Sequence, residues 1–79
     1  MAWIYFFYVN DPKCKNTDIF SVDTNTCERI RKEIKSGAHT IEIFPGEASY
    51  MDKRTKRLIT YSQYINLDTV HKVVIDDLN

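Results

Sequence analysis

Residues 2–9, Ala-Trp-Ile-Tyr-Phe-Phe-Tyr-Val, are the longest apolar run in this chain of 79 residues, and they are apolar on both alternating faces. A β-strand turns successive side chains to opposite sides, so Trp3, Tyr5 and Phe7 share one face and Ile4, Phe6 and Tyr8 the other. Aromatic and β-branched residues suit a pleated surface, and a strand that carries them on both faces needs cover on both. That places it in the centre of a sheet, or with one face on the core and the other in an intermolecular contact. Asn10, Asp11 and Pro12 end the strand, because proline has no N–H for a ladder and the other two favour turns. The run is about half the roughly 18 residues of a membrane-spanning helix, and it lacks the flanks of a signal peptide. The expectation is a cytoplasmic protein with no membrane association.

The rest of the chain supplies partners for this strand. Asp18–Val22 reads as a second strand, joined to the first by a loop that runs to about Thr17. Asp23, Thr24 or Asn25 is placed to cap a helix running to about Ser36, and Asn25 with Glu28 has capping-box spacing. Cys27, Ile30 and Ile34 recur at three-then-four spacing and form a narrow apolar stripe, with Arg29, Arg31, Lys32, Glu33 and Lys35 on the remaining faces. Gly37 suits the left-handed position that ends a helix. His39–Phe44 alternates Ile41 and Ile43 against Thr40 and Glu42, as a strand with one wet face does. Pro45 and Gly46 stop it. Residues 47–51 are ambiguous between strand and helical turn, residues 52–57 read as a hairpin tip, and Leu58–Ile65 and Val70–Ile75 read as two further strands.

The expected fold is therefore a single small α+β domain over residues 1–79, ordered β-β-α-β-β-β, with one helix on an antiparallel or mixed sheet. The expected core joins Trp3, Ile4, Phe6, Ile30, Ile34, Ile41, Ile43, Ile59 and Val73. One helix covers only part of such a sheet, which points to a homodimer or a partner on the uncovered face.

Charge is unevenly placed. The formal net charge is zero, yet residues 29–57 hold eight of the eleven Lys and Arg residues against four acidic ones, giving +4 there and −4 elsewhere. Such a dipole orients an approaching partner even without net attraction. Its densest part, Lys53, Arg54, Lys56 and Arg57, directly follows Tyr50 and Met51, residue types enriched with arginine at interfaces. These six residues are the expected contact for a protein with an acidic surface. The competing reading of the same cations is a solvated hairpin tip.

Other chemistries have weaker support. Ten aromatic residues with nearby cations suit a single-stranded nucleic-acid platform, but no RNP-type signature is present and the isoelectric point is near 6.7, unlike a dedicated nucleic-acid binder. His39 and His71 are candidates for an acid–base pair in a small nuclease-like enzyme, although nothing in the sequence brings them together. Cys14 and Cys27 match no zinc spacing and do not make a disulfide framework, and Cys27 lies on the apolar stripe. Asp68, Asp76 and Asp77 resemble no calcium loop and read as the negative pole. No metal or cofactor is expected. The reading by elimination is a small, non-catalytic interaction protein that binds and blocks or modulates a macromolecular partner, of the size of the inhibitors carried by phages and mobile elements.

Overall fold

The computed structural model of the chain describes residues 1–48 and 61–77. Among these residues, five strands, one α-helix and one 3₁₀ turn follow the order β1 (Ala2–Tyr8), β2 (Asp18–Val22), α1 (Thr24–Lys35), β3 (Thr40–Ile43), β4 (Gln63–Asn66), the 3₁₀ turn Leu67–Thr69, and β5 (Val70–Asp77). The α+β class and the element order are those read from the sequence. All strand pairs are antiparallel, and the strands divide into a three-stranded sheet, β2-β1-β5, and a two-stranded sheet, β3-β4. β1 is central, as its two apolar faces require.

Register fixes which side chains share a face. Ile4 lies opposite Phe20 and Ile75, and Phe6 opposite Asp18 and Val73, so the even-numbered residues of β1 point into the core. There Ala2, Ile4, Phe6, Phe20, Val22, Cys27, Ile30, Ile41, Ile43 and Ile65 are buried together. Phe6 meets Phe20 edge to face, with ring centroids 5.8 Å apart, the arrangement that ring quadrupoles favour. Ile34, Val70, Val73 and Ile75 pack on the margin of this cluster. Trp3 does not join it: it sits on the odd-numbered face of β1 and is only half-buried. Adjacent residues on a strand point to opposite sides, so Trp3 and Ile4 do not share one core. Ile59 lies outside the described residues.

The helix begins at Asp23, whose Oδ1 accepts the Thr26 amide at 2.7 Å. Of the three candidate caps, Asp23 is the one used, and the Asn25–Glu28 spacing is not the cap. The hydrogen bond from the Thr26 amide holds the Asp23 carboxyl below its ordinary value of 3.8, because the charged form is the better acceptor. Gly37, at φ +84°, reverses the chain after α1. Its amide donates to the Ile34 carbonyl at 3.2 Å and the Ala38 amide to the Glu33 carbonyl at 3.1 Å, which satisfies carbonyls that the last turn leaves open.

β4 starts at Gln63, later than the expected strand from Leu58; residues 58–60 lie outside the described part, and Tyr61 and Ser62 precede the ladder. β5 runs two residues beyond Ile75, through Asp76 and Asp77, because both remain in register with β1 opposite Trp3 and Ala2. No helix among the described residues is long and apolar enough to cross a membrane.

Candidate functional site

The face of the three-stranded sheet turned away from the core carries the strongest concentration of binding chemistry among the described residues. Trp3, Tyr5 and Phe7 run along the middle of it, each half-buried. Register sets their neighbours: Ser21 and Asp76 flank Trp3, Ile19 and Val74 flank Tyr5, and Lys72 flanks Phe7. Ile19 is 45% exposed and Val74 38%, so the centre of this face is an apolar strip with charge only at its two ends. The Tyr5 and Phe7 rings lie nearly parallel at an interplanar angle of 11°, with centroids 6.3 Å apart. Lys72 Nζ sits 4.9 Å from the Phe7 centroid, within the range of a cation–π contact.

Rigid aromatic rings with a polar edge supply large contact area at small entropic cost, which is why they anchor interfaces. Their placement on the central strand of a sheet, where neighbours on both sides hold the backbone, makes the row a preorganised surface.

The structure also settles where the two histidines lie. His39 and His71 both line one shallow depression of about 340 Å³, together with Asp68, Lys72 and the margin residue Ile34. His39 Nδ1 is 3.1 Å from Asp68 Oδ1, which leaves its other ring nitrogen to solvent; the two side chains are 84% and 66% exposed. His71 is the extra residue of an irregularity in the β1–β5 ladder, where Phe7 faces Lys72 and Tyr8 faces Val70. The pair thus shares a surface feature that the sequence does not reveal. Both histidines are open to water.

Arg29 has a role that its place on the helix conceals. One guanidinium nitrogen reaches Glu33 at 2.6 Å and the other reaches Glu47 at 2.7 Å and the Glu42 carbonyl at 3.0 Å. The same guanidinium lies 5.4 Å from the Phe44 ring centroid. Arg29 therefore ties α1 to β3 and the turn after it, and this member of the positive stretch is structural. The only advance sign is its spacing of four from Glu33.

Cys14 is exposed and Cys27 buried, in keeping with Cys27 on the helix stripe. Asp76 and Asp77 are exposed near the end of β5. The expected partner contact, Tyr50, Met51, Lys53, Arg54, Lys56 and Arg57, lies outside the described residues. Ile19, Val74 and Lys72 are the members of the outer face that sequence reading missed; the alternation within each strand was visible, but their meeting around Tyr5 and Phe7 depends on register between distant segments.

Comparison with protein-family models, curated proteins and solved structures finds no match for the chain.

Proposed function

We propose that this chain is a non-catalytic interaction module that binds and blocks or modulates a protein partner. The observation that carries the reading is the row Trp3, Tyr5, Phe7 on the outer face of the central strand, widened by Ile19 and Val74 into an apolar strip. The partner is a protein with an apolar patch for this strip and an acidic surface for the basic segment Lys53, Arg54, Lys56 and Arg57, which follows Tyr50 and Met51 in the sequence. Packing of the rings sets the dissociation rate, and the cations set the association rate.

Nucleic acid is the second reading, since stacked aromatics on a sheet are a platform for unpaired bases. It is disfavoured by the charges on the face: Lys72 at one end is balanced by Asp76 at the other, so among the described residues no cationic track follows the rings. The nuclease-like reading of His39 and His71 rests on their shared depression.

The test is affinity capture with the intact chain, with Tyr5→Arg, and with the fourfold reversal of Lys53, Arg54, Lys56 and Arg57 to Glu, each shown folded by circular dichroism. The expected result is a protein retained by the parent chain and lost with Tyr5→Arg, its on-rate slowed by the fourfold reversal. Binding of generic single-stranded DNA with a steep salt dependence, at an affinity unaffected by partner protein, favours the nucleic-acid reading instead. Capture indifferent to both variants contradicts the proposal.

A further inference from the structure

Among the described residues, β5 is an edge strand. It pairs with β1 on one side, and among the described residues no strand pairs with its other side. The opposite edge of the sheet differs, because Val22 of β2 forms a bridge with Ala48. Among the described residues, the other side of residues 72–76 thus presents a row of backbone donors and acceptors, a ready template for another strand. It carries no proline, and the ladder irregularity at His71 lies near its start, leaving residues 72–77 as regular strand.

The order of side chains along this edge selects the added strand. β5 reads Val-His-Lys-Val-Val-Ile-Asp-Asp, with its basic residues in the first half and its acidic residues in the second. An antiparallel copy of the same strand, centred so that Val74 faces Val74, sets Lys72 opposite Asp76, and does so twice because the arrangement is two-fold symmetric. Val73 comes opposite Ile75. Every pair keeps to its own face: Lys72, Val74 and Asp76 lie on the outer side, and Val73 and Ile75 on the core side, where both already pack at the margin of the hydrophobic cluster. A shift of one residue in the centre destroys this match. Centred between Val73 and Val74, the pairing sets Val73 against Val74, which face opposite sides in the monomer.

We propose that the chain forms a homodimer by antiparallel pairing of β5 with β5 of a second copy, giving a continuous six-stranded sheet β2-β1-β5-β5-β1-β2. Opposite charges directly across a ladder stabilise the pair, and like charges destabilise it. The contact between Val73 and Ile75 of two copies extends each core past its own margin. The two aromatic rows then lie on the same side of one sheet, so the dimer presents a doubled outer face. The inference is independent of what that face binds.

Sedimentation equilibrium of the intact chain from about 5 to 500 μM tests the proposal, together with amide hydrogen exchange of residues 70–77 over the same range. Dimerisation in the micromolar range is expected, because one strand pair buries less than the roughly 800 Å² per partner of a standard interface. Exchange in β5 should slow as concentration rises. Lys72→Asp and Asp76→Lys should each weaken association by on the order of tenfold or more, since each places like charges opposite one another at two positions. The double exchange Lys72→Asp with Asp76→Lys restores opposite charges and should recover most of the loss, which simple damage to β5 does not do. A monomer throughout the range overturns the inference. So does a dimer whose β5 exchange is independent of concentration, or one that ignores the single reversals and is lost with Tyr5→Arg, because that dimer uses the outer face. None of these results touches capture of a protein partner, which stands or falls on its own variants.

Discussion

Glu47 Oε1 lies 2.7 Å from Arg29 Nη2 and accepts the Phe44 amide at 2.8 Å, so one carboxylate oxygen joins the helix to the turn that follows β3. Its other oxygen accepts the Thr26 hydroxyl at 3.3 Å, which adds a second tie to the first turn of α1. Both side chains of the ion pair are partly shielded, at 32% exposure for Arg29 and 21% for Glu47. The geometry differs from that of a surface pair because the carboxylate also closes a backbone amide. Glu47→Ala is therefore expected to cost about 1.5–3 kcal/mol in chemical denaturation, the range of hydrogen bonds to charged groups. Arg29→Lys should not preserve the full stability, since an ammonium does not reproduce the forked contacts to Glu33, Glu47 and the Glu42 carbonyl. An unchanged midpoint in Glu47→Ala removes this link from the account.

The core is expected to answer to depth along the helix stripe. Ile30 is fully buried, whereas Ile34 lies at the margin of the cluster. Ile30→Ala should destabilise the fold by about 2–5 kcal/mol, and Ile34→Ala by less than Ile30→Ala. In so small a domain the first change consumes a large share of the total stability. Denaturant midpoints of the two variants measure the order, and the reverse order contradicts the packing described.

Asp23 makes the start of α1 sensitive to acid. Its folded-state pKa is lowered chiefly by the hydrogen bond from the Thr26 amide, so its contribution is complete above the ordinary carboxylate range. That contribution is lost as pH falls through the lowered folded value. Asp23→Asn keeps a capping oxygen without a titrating charge. Melting temperatures followed from about pH 6 to pH 2 should therefore fall less steeply for Asp23→Asn than for the parent chain. Parallel curves remove Asp23 from the acid response.

The cysteines should separate by accessibility. Cys14 is exposed and Cys27 is buried on the apolar side of α1. A thiol reagent applied to the folded protein is expected to label Cys14 quickly and Cys27 only at the rate of unfolding. Equal labelling of both under native conditions contradicts the packing of α1.

Much of this architecture is visible in the residues themselves, because local patterns determine it. The two-faced alternation of β1 places it centrally, Ile41 and Ile43 mark the buried side of β3, and Gly37 marks the end of α1. What was not legible depends on segments distant in sequence. Alternation alone separates Trp3 from Ile4, so the two do not share one core, but which of the two faces is the outer one emerges only from strand pairing, which sets Trp3 opposite Asp76. Arg29 reads as one more solvated cation until the fold brings Glu47 and Phe44 to it. The aromatic row was visible as a pattern in β1, but Ile19, Val74 and Lys72 joined it only through strand pairing. Nothing near His39 or His71 in the sequence indicates the depression that they share.

The outer face of β2-β1-β5, the proposed contact surface for a protein partner, carries residues suited to direct detection. Hydroxyl-radical footprinting compares the free protein with the complex recovered by affinity capture, reading oxidation at Trp3, Tyr5 and Phe7 against the buried controls Phe6 and Phe20. The account predicts that Trp3, Tyr5 and Phe7 are oxidised in the free protein and protected together in the complex, with the two controls unreactive in both. Oxidation of the three outer rings that is the same in the complex as in the free protein contradicts it.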